Sequence, residues 1–188
     1  MAADLAAARE TLLAELREHA LVIGEVTLAS GQRASYYVDA KRALLRPRAF
    51  QALGELVAAE AGVRGAVAVG GMSVGADPIA CAALSATAGP ERTAFFVRKE
   101  RKEHGLQRWI EGPPLAEATP CLIVEDVVTT GGSTVAAIER VREEGLAVAG
   151  VLGVVDRLSG GAEAIEAAAD APYRALVTID ELYPDRPG

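Results

Sequence analysis

Residues 121–134 read CLIVEDVVTTGGST, an apolar run that ends on two adjacent acids and turns through glycines into a helix-like segment. The four apolar residues Cys121 to Val124 fit a strand buried on both faces, and Val135 to Glu144 carries the helical segment that follows. Such a strand–turn–helix unit commits the chain to an α/β architecture. A glycine-rich turn at a helix N-terminus presents unpaired backbone N–H groups and the positive end of the helix dipole, which together suit a phosphate. Glu125 and Asp126 repel a phosphate but suit the neutral diol of a ribose, or a metal ion. A phosphate cup beside a diol clamp reads as a grip on ribose 5-phosphate. The Walker pattern needs a Lys before its Ser/Thr, whereas Gly132 precedes Ser133. The dinucleotide fingerprint G-x-G-x-x-G is supplied neither here nor by Gly70-Gly71-Met72-Ser73-Val74-Gly75.

The remaining chain alternates strand-like and helix-like segments without repeats or low-complexity linkers. Asp4 can cap a first helix carrying Leu5, Leu12, Leu13 and Leu16 near one face. A β-like stretch from Val22 to Leu28 turns at Ser30-Gly31 into Ser35 to Ala40, and Pro47 suits the first turn of a helix reaching Glu60. Strands are expected over Ala66–Val69, Thr93–Arg98, Cys121–Glu125, Ala147–Val155 and Ala175–Ile179. Helices are expected over Asp77–Ala86, Val135–Glu144 and Ala162–Ala169. Continuous apolar strands alternating with helices predict a doubly wound, mostly parallel sheet covered on both faces, with ligands gathering beyond the strand C-termini. The loops after Val69, Arg98, Glu125 and Val155 lie there.

At 188 residues and 51% hydrophobic, the chain has the length of one domain able to bury roughly 70% of its unfolded surface. Its net charge of −7 argues against nucleic-acid partners, which need a basic face. No run reaches the roughly 18–20 apolar residues of a membrane span, and the N-terminus lacks a signal-peptide layout. Cys81 and Cys121 sit far apart in apolar stretches, as expected of buried reduced thiols in a cytoplasmic protein. Neither of the two His falls in a metal-ligand pattern.

An anionic ligand in an acidic chain requires a local basic patch. Six of the 19 basic residues lie between Arg92 and Arg108, including two of the three lysines. Such a loop after a strand can close over a polyanion, with Lys102 and His104 stabilising charge on a leaving group or donating a proton to it.

CLIVEDVVTTGGST resembles the phosphoribosyl pyrophosphate signature of the type I phosphoribosyltransferases. The resemblance implies a phosphoribosyltransferase-type α/β fold in which Glu125 and Asp126 contact the ribose hydroxyls. Thr129, Thr130, Gly131, Gly132 and Ser133 would take the 5-phosphate, with Val127 and Val128 in the same binding stretch. The string R-K-x-x-K-E-H-G at Arg98 to Gly105 narrows the resemblance to the orotate phosphoribosyltransferases, whose catalytic loop it matches. Arg98, Lys99, Lys102 and His104 would then approach the pyrophosphate, and the loop would reach into the partner subunit of a homodimer. Thr27-Leu28-Ala29-Ser30-Gly31 and Ser35-Tyr36-Tyr37-Val38-Asp39-Ala40-Lys41 resemble the family's small N-terminal hood, placed largely within residues 1–45 of a single 1–188 domain. Ala29 stands where some bacterial relatives carry Lys.

Gly70 to Pro78 falls at the family's pyrophosphate loop, without the Lys that certain relatives have there. Arg157, directly after a strand, would pair with the carboxylate of orotate, together with Thr129. The implied protein is a cytoplasmic enzyme of pyrimidine biosynthesis. It would transfer the phosphoribosyl group from phosphoribosyl pyrophosphate to orotate, with Lys102, His104 and Asp126 as catalytic residues. Mg²⁺ would be held mainly by substrate and water rather than by a protein metal site. A phosphoribosyltransferase for another base, or a non-catalytic regulator on the same fold, are the alternatives.

Overall fold

The computed structural model describes residues 5–27, 33–86, 91–101 and 108–186. Asp4, residues 28–31 of the expected hood, and Lys102 and His104 lie outside the described residues. The elements in chain order are α1 (Leu5–His19), β1 (Leu21–Thr27), β2 (Arg33–Val38), α2 (Lys41–Leu44), α3 (Pro47–Arg64), β3 (Ala68–Met72), α4 (Asp77–Ser85), β4 (Thr93–Val97), β5 (Ile110–Glu111), β6 (Pro120–Val128), α5 (Gly132–Glu143), β7 (Ala147–Asp156), α6 (Gly161–Ala169), β8 (Tyr173–Thr178) and α7 (Ile179–Leu182).

Six strands form the main sheet in the order β5-β4-β3-β6-β7-β8, parallel except for the short edge strand β5. Strand periodicity divides its apolar side chains between two cores. Leu122 and Val124 of β6 face a cluster with Leu12, Leu53, Val57 and Ile79 of α1, α3 and α4. Cys121 and Ile123, the alternate residues, face Ile138, Val141 and Ile165 of α5 and α6. Both faces are thus covered, which is why these strands read as continuous apolar runs. Each fully buried Leu or Ile here contributes about 1.5–3 kcal/mol relative to exposure. The cysteines are free; burial pushes the Cys121 thiol up to about 12 and raises that of Cys81 as well. Among the described residues, no helix is long and apolar enough to cross a membrane.

The doubly wound sheet agrees with the pattern read from the sequence, but several boundaries differ. β6 continues through Asp126 to Val128, because Val127 and Val128 pair with Val155 and Asp156 of β7. β3 runs on through Gly70, Gly71 and Met72, so the following loop begins at Ser73. Gly71 reads as a loop residue by propensity, yet a Cβ there would stand 2.1 Å from the Val124 carbonyl oxygen. It serves close packing of the strand. Three short elements were not expected: α2, the edge strand β5, and α7, whose Thr178 and Glu181 form a reciprocal capping box.

β1 and β2 form a separate antiparallel pair. The chain leaves β3 toward β4 on one side of the sheet and β6 toward β7 on the other. This reversal opens a crevice beyond the carboxyl ends of β3 and β6.

Candidate active site

The crevice collects the sequence motifs. A cavity of about 320 Å³ is lined by Met72, Ser73, Val74 and Gly75 after β3, by Glu125, Asp126 and Val127 of β6, by Ser133 at the start of α5, and by Lys41 and Lys99. Arg98 lines an adjoining cavity of about 390 Å³ with Ser73, Val74 and Lys99. Its guanidinium lies 3.1 Å from Glu111 on β5.

The two acids occupy different settings. Glu125 is 5% exposed. Its Oε2 accepts the Ser133 hydroxyl at 2.6 Å and the Thr134 hydroxyl at 3.0 Å. Burial, with the neighbouring charge of Asp126, raises its pKa to about 7, against the two hydroxyl donors. Asp126 is more open: its Oδ1 accepts the Val127 N–H at 3.0 Å, and its Oδ2 meets the Lys41 ammonium at 3.3 Å. Both acids line the cavity, but Glu125 also ties down the turn through Ser133 and Thr134, while Asp126 meets Lys41 from the more open side.

Gly131 caps α5 at φ 80°, a left-handed conformation that favours glycine, and its backbone begins the turn of free N–H groups. Thr130, Gly132 and Ser133 are exposed there, and Thr129 is half-buried. Arg157 follows β7, its N–H donating to the Val128 carbonyl at 2.9 Å. Its guanidinium lies 5.4 Å from the Tyr36 ring centroid and 3.4 Å from the Tyr36 hydroxyl. Its Nε is buried with no hydrogen-bond partner among the described residues. Asp156, 4% exposed, shapes this turn by accepting the Leu158 N–H at 2.7 Å and the Tyr173 hydroxyl at 3.1 Å.

The described ends of the basic loop are fastened to α5. Trp109 donates through Nε1 to Glu143 at 2.6 Å, and the guanidinium groups of Arg101 and Arg140 lie 5.0 and 4.4 Å from its ring centroid. Arg140 also donates to the Arg98 carbonyl at 2.9 Å. Loop base and phosphate helix therefore share one set of contacts.

Of the expected site residues, Lys99, Glu125, Asp126, Val127 and Ser133 meet in one cavity. Arg98 lies in the adjoining one, and Arg157 stands apart with Tyr36. Lys41 and Trp109 were not singled out. Lys41 closed the quoted hood string, but no local signal tied it to Asp126. Among the described residues, no group of three or more His, Cys, Asp or Glu is arranged to hold a metal ion.

An open parallel sheet here delivers paired carboxylates to a glycine-capped helix, the arrangement that the resemblance to the type I phosphoribosyltransferases implies. A scan against protein-family models gave no match. The orotate phosphoribosyltransferase of Corynebacterium glutamicum is 46% identical over 94% of this chain and 95% of its own. That of Streptomyces avermitilis is 47% identical over 93% and 96%. The crystal structure of Mycobacterium tuberculosis orotate phosphoribosyltransferase in complex with phosphoribosyl pyrophosphate superposes with a TM-score of 0.79. It is 38% identical and covers 93% of this chain and 98% of that one. The chain belongs to the orotate phosphoribosyltransferase family.

Proposed function

We propose that this protein transfers the phosphoribosyl group of phosphoribosyl pyrophosphate to orotate, giving orotidine 5′-monophosphate and pyrophosphate. The observation that carries this reading is the single cavity in which Asp126, the N-terminus of α5, the Ser73–Gly75 loop and two lysines converge. The 5-phosphate takes the backbone N–H groups of Thr129 to Ser133. The ribose hydroxyls take Asp126 from the open face, with Glu125 behind it. Pyrophosphate extends toward Ser73–Gly75, Lys99 and Arg98.

As the bond from the anomeric carbon to the pyrophosphate oxygen breaks, positive charge grows on the ribose and is stabilised by the Asp126 carboxylate. Negative charge grows on the leaving group and falls to Arg98, Lys99, Lys102 and His104. The ring nitrogen N1 of orotate forms the new bond to the anomeric carbon and gives up its proton, which leaves with the pyrophosphate. The Arg157 guanidinium, with its unpartnered Nε, is suited to the orotate carboxylate, and Thr129 adds a contact. Uracil lacks that group, so it forfeits a charged hydrogen bond of about 1.5–3 kcal/mol.

Adjacent carboxylates are hard oxygen donors of the kind Mg²⁺ takes. The ion would be held chiefly by substrate oxygens and water, within reach of Asp126. When bound it neutralises pyrophosphate charge. We extend the proposal to a hood formed by α1, β1 and β2 within residues 1–45 of one domain, to a homodimer sharing its basic loops, and to the cytoplasm as location.

The test is a competition: phosphoribosyl pyrophosphate and Mg²⁺ with equal orotate, uracil and adenine, the product nucleotide identified by mass. Orotidine monophosphate as the main product supports the proposal; adenosine monophosphate alone overturns it.

A further inference from the structure

Lys41 is the one lysine outside the basic loop. It opens α2, just after β2, and its ammonium stands between two carboxylates, 2.9 Å from Asp39 Oδ1 and 3.3 Å from Asp126 Oδ2. Its side chain remains 36% exposed and lines the cavity beside Ser73, Gly75 and Lys99. Burial works against its charge, but the paired carboxylates of Asp39 and Asp126 outweigh it and push its pKa upward. The group is therefore a fixed cation throughout the neutral range.

The cavity's charge balance gives this cation a task. Its lining carries the open carboxylate of Asp126 and the buried Glu125, whose raised pKa leaves it partly protonated near neutrality, against two ammonium groups, Lys41 and Lys99. Without Lys41, a polyanionic substrate would meet an unpaired Asp126 carboxylate in a partly desolvated site, where repulsion is weakly screened. A ribose that approaches Asp126 also competes for the oxygen that Lys41 now holds. Its anionic substituents then lie within reach of the ammonium being displaced.

We propose that Lys41 is a substrate-binding residue for phosphoribosyl pyrophosphate. In the empty site it neutralises Asp126. On binding, the ribose hydroxyls take that carboxylate and the ammonium passes to the pyrophosphate oxygens, while Asp39 keeps the lysine in place. The Ser73–Gly75 loop, which has no cation of its own, thereby gains one from the β1–β2 side of the site. The proposal rests on the functional reading given above.

The experiment compares steady-state kinetics of the wild type, Lys41→Met and Lys41→Arg. Lys41→Met raises KM for phosphoribosyl pyrophosphate by about 10- to 100-fold, the scale of a lost charged hydrogen bond, and changes KM for orotate by less than about 3-fold. Lys41→Arg restores most of the loss. Wild-type KM for phosphoribosyl pyrophosphate rises with salt more steeply than that of Lys41→Met, a readout that a packing role would not move. An unchanged KM in folded Lys41→Met, or equal impairment of both variants with no difference in salt dependence, overturns the proposal. Should the wild type turn over no orotate, the functional reading fails and calorimetry with inorganic pyrophosphate decides the role of Lys41. Binding about tenfold weaker in Lys41→Met supports it, and equal binding overturns it.

Discussion

The Ser133 hydroxyl donates a 2.6 Å hydrogen bond to the buried carboxylate of Glu125, locking the first turn of α5 onto the strand that carries the acids. Thr134, 1% exposed, donates to the same oxygen at 3.0 Å. Glu125 thus fixes where the phosphate-binding turn sits relative to Asp126, besides its proposed place behind the ribose. The arrangement confines a carboxylate where water is scarce, and that has a measurable consequence.

Glu125 has a folded-state pKa raised from 4.5 to about 7. Between those values the folded protein keeps a proton that the unfolded chain has released, so this group's contribution to stability falls as pH rises and levels off above about 7. Glu125→Gln keeps an acceptor for Ser133 and Thr134 without the charge. Urea unfolding should show the variant gaining on the wild type between pH 5 and pH 8, by up to about 3 kcal/mol. A difference independent of pH would contradict this.

Tyr173 and the Leu158 N–H together satisfy Asp156, which holds the Arg157 turn with Leu158 at φ 55°. Burial and the adjacent Asp156 charge raise the Tyr173 pKa, so its hydroxyl remains a donor at neutral pH. Tyr173→Phe leaves a buried carboxylate one donor short and should cost about 1–3 kcal/mol in denaturant unfolding. KM for orotate should rise more than KM for phosphoribosyl pyrophosphate, because Arg157 is what loosens.

Gly75 packs against the open carboxylate: a Cβ added there would stand 2.4 Å from Asp126 Oδ1. Gly75→Ala must push Asp126 off the Val127 N–H. Displacing a reacting-site group by about 1 Å costs on the order of 10²-fold, so kcat/KM should fall on that scale while the thermal midpoint shifts by only a few degrees.

Lys102 lies outside the described residues, and its role follows from the R-K-x-x-K-E-H-G string. Lys102→Ala should lower turnover by about 10²-fold or more, the scale for removing one electrostatic stabiliser. Single-turnover measurements that isolate the chemical step provide the check, and near-wild-type chemistry would remove Lys102 from the catalytic set.

Much of this was legible because the chemistry is local. Cys121 to Ser133 encodes strand, acids and helix start within one stretch, and apolar runs such as Val148–Val155 announce a sheet covered on both faces. The missed features depend on contacts between distant segments. Gly71 looked like loop until the Val124 carbonyl showed why a side chain is barred. The four residues of α2 are too few to display a helical period. Lys41 and Asp126 lie 85 residues apart, and no spacing rule joins them. The clasp of Trp109 on Glu143 likewise arises only once β5 and α5 are brought together.

Orotate as the acceptor of the phosphoribosyl group is what distinguishes this site from that of any other phosphoribosyltransferase. The most direct measurement follows orotate by its absorbance with the purified protein, phosphoribosyl pyrophosphate and Mg²⁺. Orotate should be consumed only when phosphoribosyl pyrophosphate is present, with Arg157→Ala sharply impaired and uracil a poor substitute. Binding of phosphoribosyl pyrophosphate with no loss of orotate would contradict the account.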